Sequence, residues 1–182
     1  MAFTRTDIEG LMIVEPAVFE DSRGFFFEAY NEKTFFKNGV DVRFVQDNQS
    51  KSSFGVIRGL HYHLHPNAQT KLVRVLEGRI LDVAVDIRKA SPTYGQHFSI
   101  ELSAENKKQL FIPAGFAHGF SVLSDIAIVL YKCDEFYNKD AEGGIRFDDP
   151  KLAINWRVEP SQTIVSEKDL QLPFFDEAKT NF

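Results

Sequence analysis

The sequence predicts an all-β fold, a sandwich or barrel with a few short helices. Short segments rich in β-branched and aromatic residues recur along the chain, separated by the turn-forming residues Gly, Pro, Ser, Asn and Asp. No long helical pattern alternates with these segments, which argues against a parallel sheet built from strand–helix–strand units. The length of 182 residues suits one domain, so residues 1–182 are predicted to form a single domain.

The candidate strands follow one another at short intervals. Gly78 lies between two of them, in "EGR", and predicts a tight hairpin because glycine readily adopts the positive φ angle that such turns need. The predicted strands cover residues 11–16, 24–30, 42–48, 70–78, 79–88, 97–103, 109–113, 118–124 and 126–135.

Two short helices complete the predicted elements. Asn31 is a good capping residue for a helix that stops at Gly39, and Glu32 places an acidic side chain in its first turn. A helical turn is expected in "SEKDLQLP", residues 166–173, where the final proline would close it.

Composition and charge narrow the functional classes. The chain has 26 acidic and 21 basic residues and a formal charge of −5, which offers no general attraction for nucleic acid or an acidic membrane. A phosphate-bearing ligand would therefore need a local cluster of Arg and Lys. The single cysteine, Cys133, excludes an internal disulfide, and no signal core or membrane-span pattern is recognised. We expect a cytoplasmic protein.

Three histidines alternate in "RGLHYHLHP", and in an extended chain His61, His63 and His65 would share one face. The spacing of the first two resembles the first half of the cupin metal signature, and His118 in "PAGFAH" matches its second half. A site formed by His61, His63 and His118 could bind a divalent metal. The carboxylate that metal-binding cupins add four or five residues later is missing, which weakens this interpretation.

Proton transfer is the other interpretation. His61 could act as a base near neutral pH if Asp82, Asp86 or Asp169 oriented its second ring nitrogen, and spacing does not choose among the three. Neighbouring candidate strands carry cations and a phenol. With these a protein could remove a proton beside a carbonyl, hold the enolate and return a proton. The side chains concerned are Arg58, Lys71, His118, Tyr131 and Lys132.

Arginine and aromatic residues suggest how a nucleotide could be held. Arg23, in "DSRGFFFE", and Arg58 could each grip phosphate through two parallel hydrogen bonds. Phe19 and Tyr137 could sandwich a nucleobase. The phenylalanines at 25–27 are expected in the core or at an interface.

Eight stretches spread in order over nearly the whole chain carry a family resemblance. They are "VFEDSRGFFFEAYN", "FVQDNQSKS", "RGLHYH", "KLVRVLEG", "DVAVDIRKASPTYG", "LSAENKKQLFIPAGFAHGFSVLS", "YKCDEFY" and "VSEKD". Together they resemble the dTDP-4-dehydrorhamnose 3,5-epimerases. The resemblance implies a cupin-type jelly roll and a homodimer that needs neither metal nor cofactor. It also implies inversion of C3 and C5 of a dTDP-linked 4-keto-6-deoxyhexose, in dTDP-L-rhamnose biosynthesis.

The resemblance also implies roles for individual residues. His61 would be the base, Asp169 its partner, Tyr131 the acid, and Lys71 the group that stabilises the enolate. Further matching positions would bind the substrate. They are His118 and Arg58 at the sugar and phosphate, Arg23, Glu28, Gln46, Asn48, Glu142 and Lys168 along the nucleotide-sugar, and Phe19 and Tyr137 near the base.

Three departures from the family pattern adjoin these positions. His63 replaces a common Gln, Phe136 a common Tyr and Phe111 a common Trp; none replaces the proposed base or acid, so the reaction is expected to persist. Two alternatives stay open: an enzyme that inverts only C3 or moves the ketone, and a non-catalytic sugar-binding or metal-storing cupin. Tyr131 argues against the first, and His61 together with Asp169 argues against the second.

Overall fold

The computed structural model describes residues 1–182 and is dominated by antiparallel strands. The strands are β1 (Ala2–Arg5), β2 (Met12–Glu15), β3 (Val18–Asp21), β4 (Gly24–Phe27), β5 (Gln46–Ser53), β6 (Ile57–His63), β7 (Lys71–Glu77), β8 (Arg79–Asp86), β9 (His97–Ser103), β10 (Gln109–Ile112), β11 (Phe116–Val122), β12 (Ile126–Cys133) and β13 (Glu142–Gly144).

Two sheets form the body of the molecule. The six-stranded sheet has the order β1-β2-β10-β7-β12-β5, and the five-stranded sheet has the order β13-β6-β11-β8-β9. The remaining pair, β3 and β4, forms a separate hairpin. Strands distant in sequence lie side by side in both sheets, which is the topology of a jelly roll and confirms the predicted all-β class.

The helices are short and capped by side chains. Helix α1 (Glu32–Lys37) begins after Asn31, whose Oδ1 accepts a hydrogen bond of 3.2 Å from the Thr34 amide. Helix α2 (Glu167–Leu170) begins after Ser166, whose Oγ accepts a hydrogen bond from the Asp169 amide. Both helices are where the sequence predicts them. Single 3-10 turns span Lys139–Ala141 and Pro160–Gln162. No helix has the length and apolar character needed to cross a membrane.

Apolar side chains fill three regions. The largest cluster lies between the two sheets and includes Val73, Val129 and Phe120. A second cluster joins the outer face of the five-stranded sheet to the C-terminal segment, where Leu60 packs with Trp156 among others. The third cluster surrounds the buried ring of Phe35 in α1. Burial of these side chains from water is the main force that holds the sheets and the C-terminal segment together.

Several strand predictions differ from the structure. The predicted strand 42–48 begins only at Gln46 and runs to Ser53, because Val42 and Phe44 pack against the Phe35 cluster instead of joining the sheet. Strands β1, β3 and β13 were not predicted, and the residues of β6 were expected only as the extended segment that carries the histidines. The hairpin between β7 and β8 is confirmed, with a φ of +74° at Gly78.

The alternating histidines are only partly on one strand. Strand β6 ends at His63, so His65 lies beyond it, exposed, with its ring against that of Phe182. The prediction that three imidazoles share one strand face is therefore wrong for the third. The inner faces of β6 and β11 look across the interior at β7 and β12, and the candidate site lies between them.

Candidate active site

A cavity of about 490 Å³ opens between the two sheets beside helix α2. The five-stranded sheet contributes one wall and the six-stranded sheet the opposite wall. The cavity lining contains most of the residues to which the sequence assigns chemistry: Arg58, His61, Lys71, His118, Tyr131, Lys168 and Asp169.

His61 and Asp169 form a hydrogen-bonded dyad on the first wall. The Nε2 atom of His61 lies 2.7 Å from Oδ1 of Asp169, and the second carboxylate oxygen accepts a hydrogen bond from the Gly59 amide. Burial opposes ionisation of Asp169, but the hydrogen bond and charge interaction with His61, together with the Gly59 amide and the Lys168 charge, outweigh burial and hold the pKa of the carboxyl below its usual value. Of the three candidate acids, the structure selects Asp169 as the partner of His61.

Backbone contacts bring this dyad together across 108 residues of sequence. The Ile57 amide donates to the Ile164 carbonyl, which ties the segment before α2 to the start of β6. Gly59 has a φ of +113°, and a Cβ there would come within 2.6 Å of the His118 carbonyl oxygen. A glycine is therefore needed where β6 passes close to β11, two residues before His61.

Tyr131 and Lys71 stand on the opposite wall, on neighbouring strands β12 and β7. The Lys71 ammonium lies 5.8 Å from the centre of the Tyr131 ring. Burial raises the pKa of the Tyr131 phenol, and burial lowers the pKa of Lys71. The wall that faces His61 thus presents a protonated phenol and a buried amine.

A second histidine–carboxylate dyad lies beside the first. The Nε2 atom of His118 is 2.7 Å from Oδ1 of Asp82, which is fully buried, and His118 opposes His61 across the β11–β6 pair. Asp82 is thus excluded as the partner of His61. Asp86 is excluded as well, because it binds the Arg88 guanidinium. No motif in the sequence signals that Asp82 pairs with His118.

Arg58 and a chain of polar residues border the cavity. Arg58 donates from Nε to the Ser52 hydroxyl, and its side chain also lines the cavity. Lys168 donates to both carboxylate oxygens of Glu142, each at 2.7 Å. Burial opposes the charge on Glu142, but Lys168 and a hydrogen bond from Tyr137 hold the pKa of its carboxyl below the usual value.

The same polar chain reaches strand β5. The Tyr137 backbone amide donates to Oε1 of Gln46, and Nε2 of the Gln46 side chain donates to Oδ1 of Asn48. Asn48 lies directly across from Tyr131 in the pairing of β5 with β12. The structure therefore brings five of the predicted nucleotide-sugar positions together next to the cavity: Gln46, Asn48, Tyr137, Glu142 and Lys168.

Three predicted binding residues lie elsewhere in the chain. Phe19 and Arg23 belong to the β3–β4 hairpin, where the Arg23 side chain is 88% exposed and binds Asp21 at 2.6 Å. Glu28 follows the hairpin and accepts a hydrogen bond from Asn31. None of these three lines the cavity of its own chain. Lys132 also points away, toward Asp47 on the outer face.

The histidines do not form a ligand set for a metal. His61 and His118 each direct Nε2 to an aspartate, and no group of three His, Cys, Asp or Glu side chains is arranged to hold a metal ion. His63 is 7% exposed, and neither ring nitrogen has a hydrogen-bond partner among the protein atoms. The metal interpretation is therefore not supported by the arrangement of the donors.

Comparisons with known proteins all point to one family. A family model described as dTDP-4-dehydrorhamnose 3,5-epimerase matches residues 5–177. The enzyme of that name from Shigella flexneri is 53% identical over 171 residues, which cover 93% of each chain. The crystal structure of the Elizabethkingia anophelis enzyme superposes with a TM-score of 0.92 at 51% identity and covers 97% of both chains.

A further solved relative carries a ligand. The Legionella pneumophila dTDP-6-deoxy-D-glucose-3,5-epimerase, described in complex with dTDP-4-keto-L-rhamnose, is 46% identical with a TM-score of 0.93. The alignment covers 97% of this chain and 93% of the relative. The matches span nearly the whole chain and share the cupin-type jelly roll. The chain therefore belongs to the dTDP-4-dehydrorhamnose 3,5-epimerase family.

Proposed function

We propose that this protein converts dTDP-4-dehydro-6-deoxy-D-glucose into dTDP-4-dehydro-L-rhamnose by inverting C3 and C5. The observation that carries the proposal is a histidine–aspartate dyad and a partly buried tyrosine on opposite walls of one cavity. Membership of an epimerase family and the keto-sugar ligand described for the Legionella relative support the substrate class. The product would feed dTDP-L-rhamnose and cell-surface polysaccharide synthesis.

The chemistry of the substrate explains why one cavity serves two inversions. Both C3 and C5 neighbour the C4 ketone, so loss of a proton from either carbon places negative charge on the same oxygen. One cation near that oxygen stabilises both enolates. Inversion requires that the new proton arrives on the opposite face of the ring from the one that was removed. A base and an acid on opposite walls meet that requirement.

Each residue of the core site takes one role. His61 removes the proton, and Asp169 orients its ring and stabilises the imidazolium that forms. Lys71 places its ammonium at the enolate oxygen, and Tyr131 returns a proton from the far wall. The raised pKa of Tyr131 keeps the phenol protonated at neutral pH, as an acid must be.

The remaining residues bind the nucleotide-sugar. Arg58 and His118 line the cavity and suit the diphosphate and the sugar hydroxyls. Lys168 lines the cavity, Glu142, Gln46 and Asn48 are linked to it through hydrogen bonds, and Tyr137 offers its exposed ring to the base.

We further propose that the protein is a homodimer. Phe19, Arg23 and Glu28 match nucleotide-binding positions but lie outside the cavity of their own chain, so a second subunit would bring them to the site. Phe25 and Phe26 on the same hairpin are 59% and 72% exposed, an apolar surface that association would cover. Light scattering should give twice the chain mass, and Phe26→Glu should give the monomer mass; a monomeric wild type would contradict the dimer.

Deuterium labelling tests the reaction itself. In heavy water the double epimerase should incorporate solvent deuterium at both C3 and C5 of the keto-sugar nucleotide. Label at C3 alone would indicate a C3 epimerase, and absence of label would indicate a binding protein. A chelator should leave the rates unchanged, whereas loss of activity that a divalent metal restores would contradict the proposed mechanism. The cytoplasmic location stays a prediction.

A further inference from the structure

Tyr137 presents an exposed aromatic ring beside the cavity. The residue is 55% exposed, and the proposed function assigns its ring to the nucleobase. Its phenol donates a hydrogen bond of 3.1 Å to Oε2 of Glu142, and its backbone amide donates to Oε1 of Gln46. Rotation of the ring about the axis from Cβ to the hydroxyl moves neither of these contacts. A third contact is therefore needed to fix the plane of the ring.

His63 supplies a contact that depends on the plane of the Tyr137 ring. The centroids of the two rings are 5.4 Å apart, and their planes are inclined at 81°. Aromatic rings prefer this perpendicular arrangement at separations of about 4.5–7 Å, because the positive edge of one ring meets the negative face of the other. The contact therefore opposes the rotation that the two hydrogen bonds of Tyr137 allow.

The His63 ring is itself well supported. The residue is 7% exposed at the last position of β6, and strand pairing sets it directly opposite Glu142 of β13. Side chains that oppose each other in an antiparallel pair lie on the same face of the sheet. Glu142 is fixed in turn by Lys168, whose ammonium lies 2.7 Å from both carboxylate oxygens. The buried imidazole and the carboxylate thus hold the Tyr137 ring from the same side of the sheet.

The backbone around Tyr137 is fastened to the connection between β6 and β7, residues 64–70. Hydrogen bonds join the two segments on both sides of Tyr137. They run from the Asn138 side chain to Asn67, from the Gln69 side chain to the Glu135 carbonyl, and from the Thr70 amide to Asp134. Because the backbone is anchored before and after Tyr137, the freedom that remains lies in its side chain.

We propose that His63 is a positioning residue for the nucleotide, whose buried ring fixes the plane in which Tyr137 stacks on the pyrimidine base. A binding surface that is ordered before the ligand arrives costs less to order on binding, so affinity rises without a new contact to the ligand. Neither ring nitrogen of His63 bonds to a protein atom, so the ring itself makes the directional contact. His63 replaces a glutamine that is common in the family, so this support belongs to the chain's own sequence. The inference rests on the proposed role of Tyr137 at the base.

Binding of dTDP, measured by isothermal titration calorimetry, tests the inference. His63→Leu removes the aromatic ring, so the Kd of dTDP should rise by about threefold to tenfold, the value of one edge-to-face pair. His63→Phe keeps a ring and removes both nitrogens, so its Kd should stay within about 1.5-fold of wild type. Inorganic pyrophosphate has no base, and all variants should bind it equally. His65→Leu, on the exposed histidine whose ring contacts Phe182, is the matched control.

A double-mutant cycle shows whether His63 acts through the Tyr137 ring. Tyr137→Ala alone should raise the Kd of dTDP by about tenfold, the value of stacking on one base. Adding His63→Leu should then change the Kd by less than about twofold, because the ring that it supports is gone. In turnover of the keto-sugar nucleotide, KM should rise with the Kd in His63→Leu while kcat stays within about twofold of wild type.

Three outcomes would overturn the inference. They are an unchanged dTDP affinity in His63→Leu, equal losses of affinity in His63→Leu and His63→Phe, and full additivity of His63→Leu with Tyr137→Ala. Equal losses would show that the nitrogens of His63 matter and its ring does not. If His63→Leu does not fold, His63→Met removes the ring with a more flexible side chain.

Binding of dTDP does not depend on turnover. Failure of the double inversion in heavy water, with dTDP binding intact, would refute the proposed reaction and leave the role of His63 standing. An unmoved Kd in His63→Leu, in a protein that binds dTDP and inverts both carbons, would refute the role of His63 alone. A wild type that does not bind dTDP would refute both.

Discussion

The two walls of the cavity carry the proposed proton-transfer groups in opposite surroundings. On the five-stranded sheet, the His61 side chain is 31% exposed and is held by a carboxylate at 2.7 Å. On the six-stranded sheet, Tyr131 is partly buried and Lys71 is buried, and neither side chain has a carboxylate partner. A base benefits from a nearby anion that stabilises its protonated form, whereas an acid benefits from an apolar site that keeps it neutral. The surroundings of each wall thus suit the role proposed for it.

Replacing the proposed base, His61, should cause the largest loss of activity. His61→Asn removes the proton acceptor while leaving a polar side chain, so exchange at both C3 and C5 should fall by at least about a hundredfold. Solvent exchange followed by NMR measures this directly. His65→Asn, outside strand β6, should exchange at the wild-type rate. Near-normal exchange at C3 in His61→Asn would show that another group is the base.

Replacing the proposed acid, Tyr131, should separate proton removal from inversion, which the His61 variant loses together. In Tyr131→Phe the ring still packs in place but has no proton to return. Inversion should fall by roughly a hundredfold, within the usual range for a general acid, while proton removal stays within a few-fold. In heavy water, the recovered substrate should contain deuterium while little product forms. Equal loss of exchange and inversion would mean that Tyr131 only shapes the cavity.

Replacing the partner of the base should have a smaller effect on rate and a visible effect on stability. Asp169→Asn keeps the shape but loses the negative charge, and the rate should fall by about tenfold or more. Because the pKa of Asp169 is lowered by folding, its carboxylate stabilises the protein above its unfolded pKa of about 3.9, and this stabilisation is lost as pH falls through the folded pKa. Denaturant unfolding measured from pH 3 to 8 should therefore show the free energies of unfolding of variant and wild type converging in acid. A difference that stays constant over this range would contradict the prediction.

The smallest effect is expected away from both walls, on the hairpin. Arg23→Gln should raise KM by roughly three- to tenfold, the value of one charge-assisted phosphate contact, with kcat unchanged. Steady-state kinetics measure the two constants separately. Arg43→Gln, an exposed arginine outside the hairpin and the cavity, is the matched control. A fall in kcat without a rise in KM would place Arg23 outside the binding surface.

Local features of the fold were predictable from the sequence. Gly78 marks the hairpin because its backbone angle is unusual, and Asn31 marks α1 because its side chain caps the first turn. Strands that are buried on both faces, such as β8, were recognised from composition. Strand β5 was misplaced because residues 49–53 are polar and occupy an edge, where composition carries little information about pairing.

The sequence predicted which residues form the site better than it predicted which of them contact each other. The family resemblance named His61, Asp169, Tyr131 and Lys71, and the structure brings them to one cavity. Reasoning from spacing could not choose Asp169 over Asp82, because strand pairing and the C-terminal segment decide which acid reaches the histidine. The Asp82–His118 dyad and the unpaired His63 nitrogens depend on long-range packing and have no local signature.

The fate of the abstracted hydrogens tests the two-wall arrangement most directly. Substrate carrying deuterium at C3 and C5 would be converted in ordinary water, and the product would be analysed by NMR at both carbons. The account predicts protium from solvent at each inverted centre, because the hydrogen that His61 removes is not the one that Tyr131 delivers. Deuterium retained at an inverted carbon would show that a single group performs both transfers, and would contradict it.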